Sequence, residues 1–86
     1  MNALERDIAQ LIIDTLALDH LRADDIDPDQ PLFGQGLGLD SVDALELALA
    51  LQNTYGLRIA DSREARHHFE TVRSLALYVE DQRSHA

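Results

Sequence analysis

The sequence contains no cysteine and no lysine, and it has few prolines and glycines, two and four respectively. Without cysteine no disulfide can staple the fold, so apolar packing has to hold it. The absence also agrees with a reducing compartment. No apolar run approaches the roughly 20 residues of a membrane span. The opening segment, Met1 to Asp7, lacks the basic start and apolar middle of a signal peptide, and a cytoplasmic location is expected. Positive charge is scarce. Seven basic residues, all arginine, face 16 acidic ones, for a net charge of −9 and a pI near 4.5. The balance stays negative with all four histidines protonated. Nucleic-acid binding runs on phosphate neutralisation by Lys and Arg, and this composition excludes it as a working class. A basic partner surface is the complement such a chain calls for.

What is present is 86 residues at 45% hydrophobic content. That is one domain, 1–86, with one core; domains near this size bury about 60–65% of the surface of their unfolded chain. Leu4, Ile8, Leu11, Ile12 and Leu16 step along one helical face, with Glu5, Arg6, Asp7, Gln10 and Asp14 mostly off it, which predicts a helix over about 3–18. Residues 19–40 hold both prolines and three of the four glycines without periodicity, and read as a long loop with room for one helical turn. Ile26, Leu32, Phe33, Leu37 and Leu39 would pin that loop over the core. Residues 41–55 are rich in Ala, Leu and Glu, start at Asp40 or Ser41 as N-cap and stop at Gly56, a second helix. Asp43 and Glu46 place negative charge near its start, where the helix dipole favours it. Leu45, Leu47, Ala48, Leu49 and Leu51 cover more than one stripe. Such a helix is either deeply buried or packs on one side and receives something on the other. A short helix over 62–69 and a last one over 71–82, capped by Thr71 and carrying Val72, Leu75, Ala76 and Val79, complete an all-α four-helix bundle with a long first loop.

Several chemistries can be weighed residue by residue. Asp25, Asp27 and Asp29 alternate as a calcium loop does. Positions six and twelve, counted from Asp25, hold Gln30 and Gly36 where the template needs glycine and glutamate, so the segment reads as an acidic turn. Gly34, Gly36 and Gly38 precede a helix but follow no strand and lack the spacing of a phosphate-cradling loop. His67 and His68 are adjacent, about 100° apart on a helix, and do not make a metal pair. With Arg63 and Arg66 they form a locally basic patch suited to recognition. Ser41, in Leu39-Asp40-Ser41-Val42-Asp43, sits outside the nucleophile-elbow pattern and by itself is a helix cap.

The segment Gly36-Leu-Gly-Leu-Asp-Ser-Val-Asp-Ala-Leu-Glu-Leu nevertheless resembles the phosphopantetheine attachment motif of acyl carrier proteins, Asp-Ser-Leu followed by an acidic, leucine-rich helix. The resemblance extends over nearly the whole chain: helix one, a long loop with Pro31-Leu-Phe-Gly, the motif helix, a short third helix and a Thr-Val-x-x-Leu-Ala-x-Tyr-Val last helix fall in family order. It implies a carrier rather than an enzyme, with no catalytic residue and no metal. Ser41 would be esterified by 4′-phosphopantetheine, transferred from coenzyme A by a phosphopantetheinyl transferase, and the arm's thiol would carry acyl groups as thioesters. Asp40, Asp43 and Glu46, with Val42 and Ala44 between them, would meet basic docking patches on the transferase, a ketosynthase and other biosynthetic enzymes, the free protein being a monomer. Small side chains at Ala44, Ala48, Ala50 and Ala60 would either leave room for a sequestered acyl chain or simply let the helices pack closely.

Two departures from the fatty-acid type stand out. Gln52, Asn53 and Thr54 replace acidic residues in the second half of the motif helix, and Ser62-Arg-Glu-Ala-Arg-His-His-Phe is basic where those carriers are acidic. The wording looks more like carriers of bacterial aryl polyene or related pigment clusters, a type II polyketide-like setting. A peptidyl carrier, an unmodified helical adaptor and a calcium-responsive bundle are the competing readings; a peptidyl carrier usually shows Gly-Gly-His/Asp-Ser, from which Gly38-Leu39-Asp40 departs.

Overall fold

The computed structural model describes residues 2–33, 38–57 and 67–84. Helix α1 spans Ala3–Leu16, a 3-10 turn spans Ala23–Asp25, α2 spans Ser41–Tyr55 and α3 spans Val72–Ser84. The fold is all-α, as expected. Of the short helix expected over 62–69, residues 62–66 lie outside the described residues; His67 and His68 are helical.

Helix α1 begins at a capping box. The Asn2 side chain accepts from the Glu5 amide at 2.8 Å, and the Glu5 carboxylate accepts from the Asn2 amide at the same distance, so two orphan donors of the first turn are satisfied reciprocally. The helix ends at Leu16 rather than near residue 18, because Ala17 turns left-handed (φ 54°). From there the Leu18 amide reaches back to the Ile13 carbonyl at 2.9 Å, closing the end in the manner of a Schellman turn.

The face that α1 buries is wider than its apolar spacing indicates. Ile8, Ala9, Ile12 and Ile13 are buried as a core residue should be, and Leu4, Leu11 and Leu16 pack at its margin. Glu5, which the periodicity places off the core face, is buried as well, only 6% exposed. A buried carboxylate needs partners. It has them: besides the cap, its other oxygen lies 3.5 Å from Nε of Arg73 on α3, whose Nη1 also reaches Asp29 at 2.9 Å. One guanidinium therefore joins α1, the long loop and α3. The core is completed by Leu47 and Leu51 from α2, Phe69, and Val72, Leu75, Ala76 and Val79 from α3. Helix α1 is the common neighbour, packing against α2, α3 and the 3-10 turn.

The loop is fastened to this bundle as its apolar residues predict. Ala23, Ile26, Leu32 and Leu39 are buried and Phe33 half-buried; Leu37 lies outside the described residues. The expected helical turn is the 3-10 segment. Backbone bonds do the rest: Arg73 N–H donates to the Pro28 carbonyl at 3.0 Å and Leu32 N–H to the Glu70 carbonyl at 2.9 Å. The three alternating aspartates are each used by the backbone or by Arg73. Asp25 accepts from the Arg22 amide, Asp27 from the Asp29 amide, and Asp29 pairs with Arg73, which is the acidic-turn reading. Among the described residues no cluster of three or more His, Asp or Glu side chains is placed to hold a metal ion, and no helix is long and apolar enough to cross a membrane.

Two predictions follow from this packing. Glu5→Ala removes both a cap partner and the buried half of the Arg73 contact, and should cost roughly 1–2 kcal/mol. Arg6→Ala breaks only the exposed pair to Asp24 (2.8 Å) and should cost under about 0.5 kcal/mol; urea midpoints for the two variants check the contrast. Burial first, then the Asp7 charge, raise the Tyr55 phenol above its ordinary value of 10.0, with Arg83 opposing. The folded state then holds this proton more tightly than the unfolded chain. The associated stability is complete below pH 10 and lost as pH rises through the folded-state value. Alkaline unfolding followed by circular dichroism should be flatter above pH 10 in Tyr55→Phe.

Candidate functional site

The start of α2 is built by three neighbouring residues. Gly38 takes a positive φ of 74°, a conformation that side chains disfavour, and redirects the chain into Leu39. Leu39 is buried, its amide donates to the Leu32 carbonyl at 3.1 Å, and it bridges in parallel to Phe33. Asp40 then caps the helix: its Oδ1 accepts from the Asp43 amide at 3.0 Å while Asp43 Oδ2 accepts from the Asp40 amide at 3.1 Å. Of the two N-cap candidates, the structure selects Asp40. Asp and Asn are strong caps because the short side chain reaches the third amide without leaving extended backbone.

That choice releases Ser41. It is the first helical residue, exposed, and its hydroxyl makes no hydrogen bond to another described residue. With the Asp43 and Ala44 amides taken by Asp40, the amides of Ser41 and Val42 are the donors left without an acceptor among the described residues at the positive end of the helix.

Ser41 opens onto a cleft of about 660 Å³ whose walls are Phe33, Leu39, Asp40, Ala44, His67 and Glu70. Loop, helix α2 and the segment before α3 each supply one side. Ala44, expected beside Val42 as a partner contact, faces this cleft and is half-buried. Ala48 and Ala50 are also half-buried; Ala60 lies outside the described residues.

The side of α2 turned away from the core is apolar and open. Val42, Leu45 and Leu49 are 63%, 62% and 51% exposed, an i, i+3, i+7 stripe beside the exposed Glu46 and half-buried Asp43. The sequence signal was the excess of leucines over one stripe. Leu47 and Leu51 go inward, and Leu45 and Leu49, not singled out as contact residues, complete the outward stripe with Val42. In the basic patch, Arg63 and Arg66 lie outside the described residues. His67 is exposed in the cleft, 3.6 Å from Glu70, whereas His68 is half-buried with its ring 4.1 Å from that of Tyr78.

Residues 6–79 match the family model described as phosphopantetheine attachment site. The chain is 38% identical over 82 residues to an acyl carrier protein of Treponema denticola, covering 95% of this chain and 97% of that one. Over 48 residues it is 42% identical to an acyl carrier protein of Phytoplasma australiense, 56% of this chain and 60% of that one. The chain belongs to the acyl carrier protein family. Its covalent cofactor is 4′-phosphopantetheine, and as a member of this family it is a carrier and not a catalyst. The start of α2 fits that group. An exposed hydroxyl, two amides without an acceptor among the described residues and the electropositive helix end suit a phosphodiester, and an open cleft lined by Phe33, Leu39 and Ala44 adjoins them.

The geometry separates capping from exposure at two adjacent residues. Asp40→Ala should cost about 1 kcal/mol, and Asp40→Asn only a few tenths. Ser41→Ala should leave stability within about 0.5 kcal/mol of wild type. Urea unfolding of the three variants measures this, and a large loss in Ser41→Ala would mean that the hydroxyl is structural.

Proposed function

We propose that this acyl carrier protein family member bears its phosphopantetheine on Ser41 and delivers acyl thioesters to enzymes of a type II fatty-acid or polyketide-like pathway in the cytoplasm. The observation that carries the reading is Ser41 itself: an exposed hydroxyl with no hydrogen bond to another described residue, at the first position of a capped helix, within Asp-Ser-Val. A separate transferase supplies the chemistry of loading. Ser41 Oγ attacks the phosphorus of coenzyme A that bears the pantetheine arm, its proton passes to the transferase, and the adenosine bisphosphate leaves. The carrier needs no base of its own, and the Ser41 hydroxyl accordingly makes no hydrogen bond to Asp40, His67 or Glu70 in the cleft that it shares with them. When bound, the arm supplies a terminal thiol that holds acyl groups as thioesters.

Docking is assigned to the outward side of α2. Val42, Leu45 and Leu49 offer apolar contact, and Asp40, Asp43 and Glu46 offer charge to basic patches on the transferase, a ketosynthase and related enzymes; Ala44 contributes from the cleft edge. A contact of this size, rimmed by carboxylates, gives fast, salt-sensitive association suited to a carrier that must leave each partner. The Gly-Leu-Gly-Leu-Asp-Ser wording and the uncharged Gln52-Asn53-Thr54 end of α2 favour an aryl polyene or related pigment pathway over housekeeping fatty-acid synthesis.

Incubation with coenzyme A and a broad-specificity phosphopantetheinyl transferase, followed by intact-mass measurement, is the direct test. Wild type should gain the mass of one phosphopantetheinyl group and Ser41→Ala none. An equal gain in both would move the attachment elsewhere, and no gain in either would overturn the reading.

A further inference from the structure

Two ionisable side chains of the cleft beside Ser41, His67 and Glu70, are not used by carriage, and only the imidazole can bring positive charge there. His67 is on the cleft wall, 86% exposed in its side chain, with Nδ1 3.6 Å from Oε1 of a Glu70 that is itself 66% exposed. The backbone around it is well fastened. Ser74 Oγ donates to the His68 carbonyl at 2.7 Å, the Glu70 carbonyl accepts from Leu32, and the His68 ring lies against Tyr78. A tethered backbone and a loosely held imidazole make His67 a side chain that can turn between partners without moving the fold.

The charges around it decide which partner it takes. Asp40 lies on the cleft wall from the α2 side, with Asp43 tied to it in the capping box, and Glu70 comes from the segment of His67 itself; Phe33, Leu39 and Ala44 are uncharged. A phosphodiester on Ser41 would add a further negative charge to this already acidic surface. We propose that protonated His67 is the counter-charge for that phosphodiester, a positioning residue that holds the root of the arm against the cleft and lets go as the pH rises. This rests on the assignment of Ser41 as the attachment residue. Histidine is the side chain whose charge ordinarily changes between about pH 5 and 8. A phosphodiester stays a monoanion across that window, and carboxylic acids ordinarily titrate around 4. The contact is exposed and so weakened by salt.

The test uses loaded full-length protein, with the mass gain confirmed first, and follows the phosphorus-31 resonance of the phosphodiester from about pH 5 to 8 at low ionic strength. In wild type the resonance should move along a single histidine titration curve. It should be flat in His67→Gln, hold the low-pH position throughout in His67→Lys, and follow wild type in His20→Gln, which alters an exposed histidine outside the cleft. A flat wild-type resonance overturns the proposal, as does a His67→Gln resonance that still titrates. Those outcomes leave the carrier reading intact, whereas a wild-type chain that gains no mass overturns both.

Discussion

Much of the molecule hangs on Arg73. Its side chain holds the buried Glu5 of α1 and Asp29 of the loop, and its amide closes on the Pro28 carbonyl. Those contacts fasten residues 17–33, which have little helical or strand preference of their own, as a strap across α1 and α3. The apolar anchors Ile26, Leu32 and Leu39 supply most of the favourable burial, but burial is non-directional. The charged and backbone bonds to one residue at the start of α3 set where along the bundle the strap lies.

Because the strap is fixed, α2 starts where it does and can face three ways at once. Leu47 and Leu51 enter the core, Ala44 borders the cleft, and Val42, Leu45 and Leu49 remain outside. An isolated helix with this composition would be an aggregation risk. In the proposed docking role, the carboxylates of Asp40, Asp43 and Glu46 at the same end would keep the exposed stripe selective, since a partner would have to bring positive charge along with apolar surface. Net acidity thus has a location as well as a sign.

Helix α2 was legible to the residue, from 41 to 55, because helix formers, cap and terminal glycine all agree there. The loop anchors were legible for a similar reason: isolated apolar residues in a polar stretch have few other uses. The misreadings share a cause. Glu5 was assigned to the solvent face since periodicity treats every carboxylate as exposed, and its burial depends on Arg73, 68 positions away in the chain. The spacing Asn2-x-x-Glu5 did carry the signature of a capping box. The early end of α1 turns on a left-handed Ala17, which composition gives no reason to expect in place of glycine. His68, grouped with His67 in the basic patch, is drawn in by Tyr78 from α3, a contact that neighbouring residues cannot reveal. The cleft has the same character, for its three walls come from distant segments.

The parallel bridge between Phe33 and Leu39 joins two points six residues apart just ahead of Ser41. With the Leu39 amide bonded to the Leu32 carbonyl as well, the residue that leads into Asp40 is held to the loop from two sides, so the start of the helix is anchored from outside as well as by its own cap. His67 and Glu70, on the far wall of the cleft, belong to a different segment from that anchor, so a change there alters what lies beside the serine without displacing the serine itself.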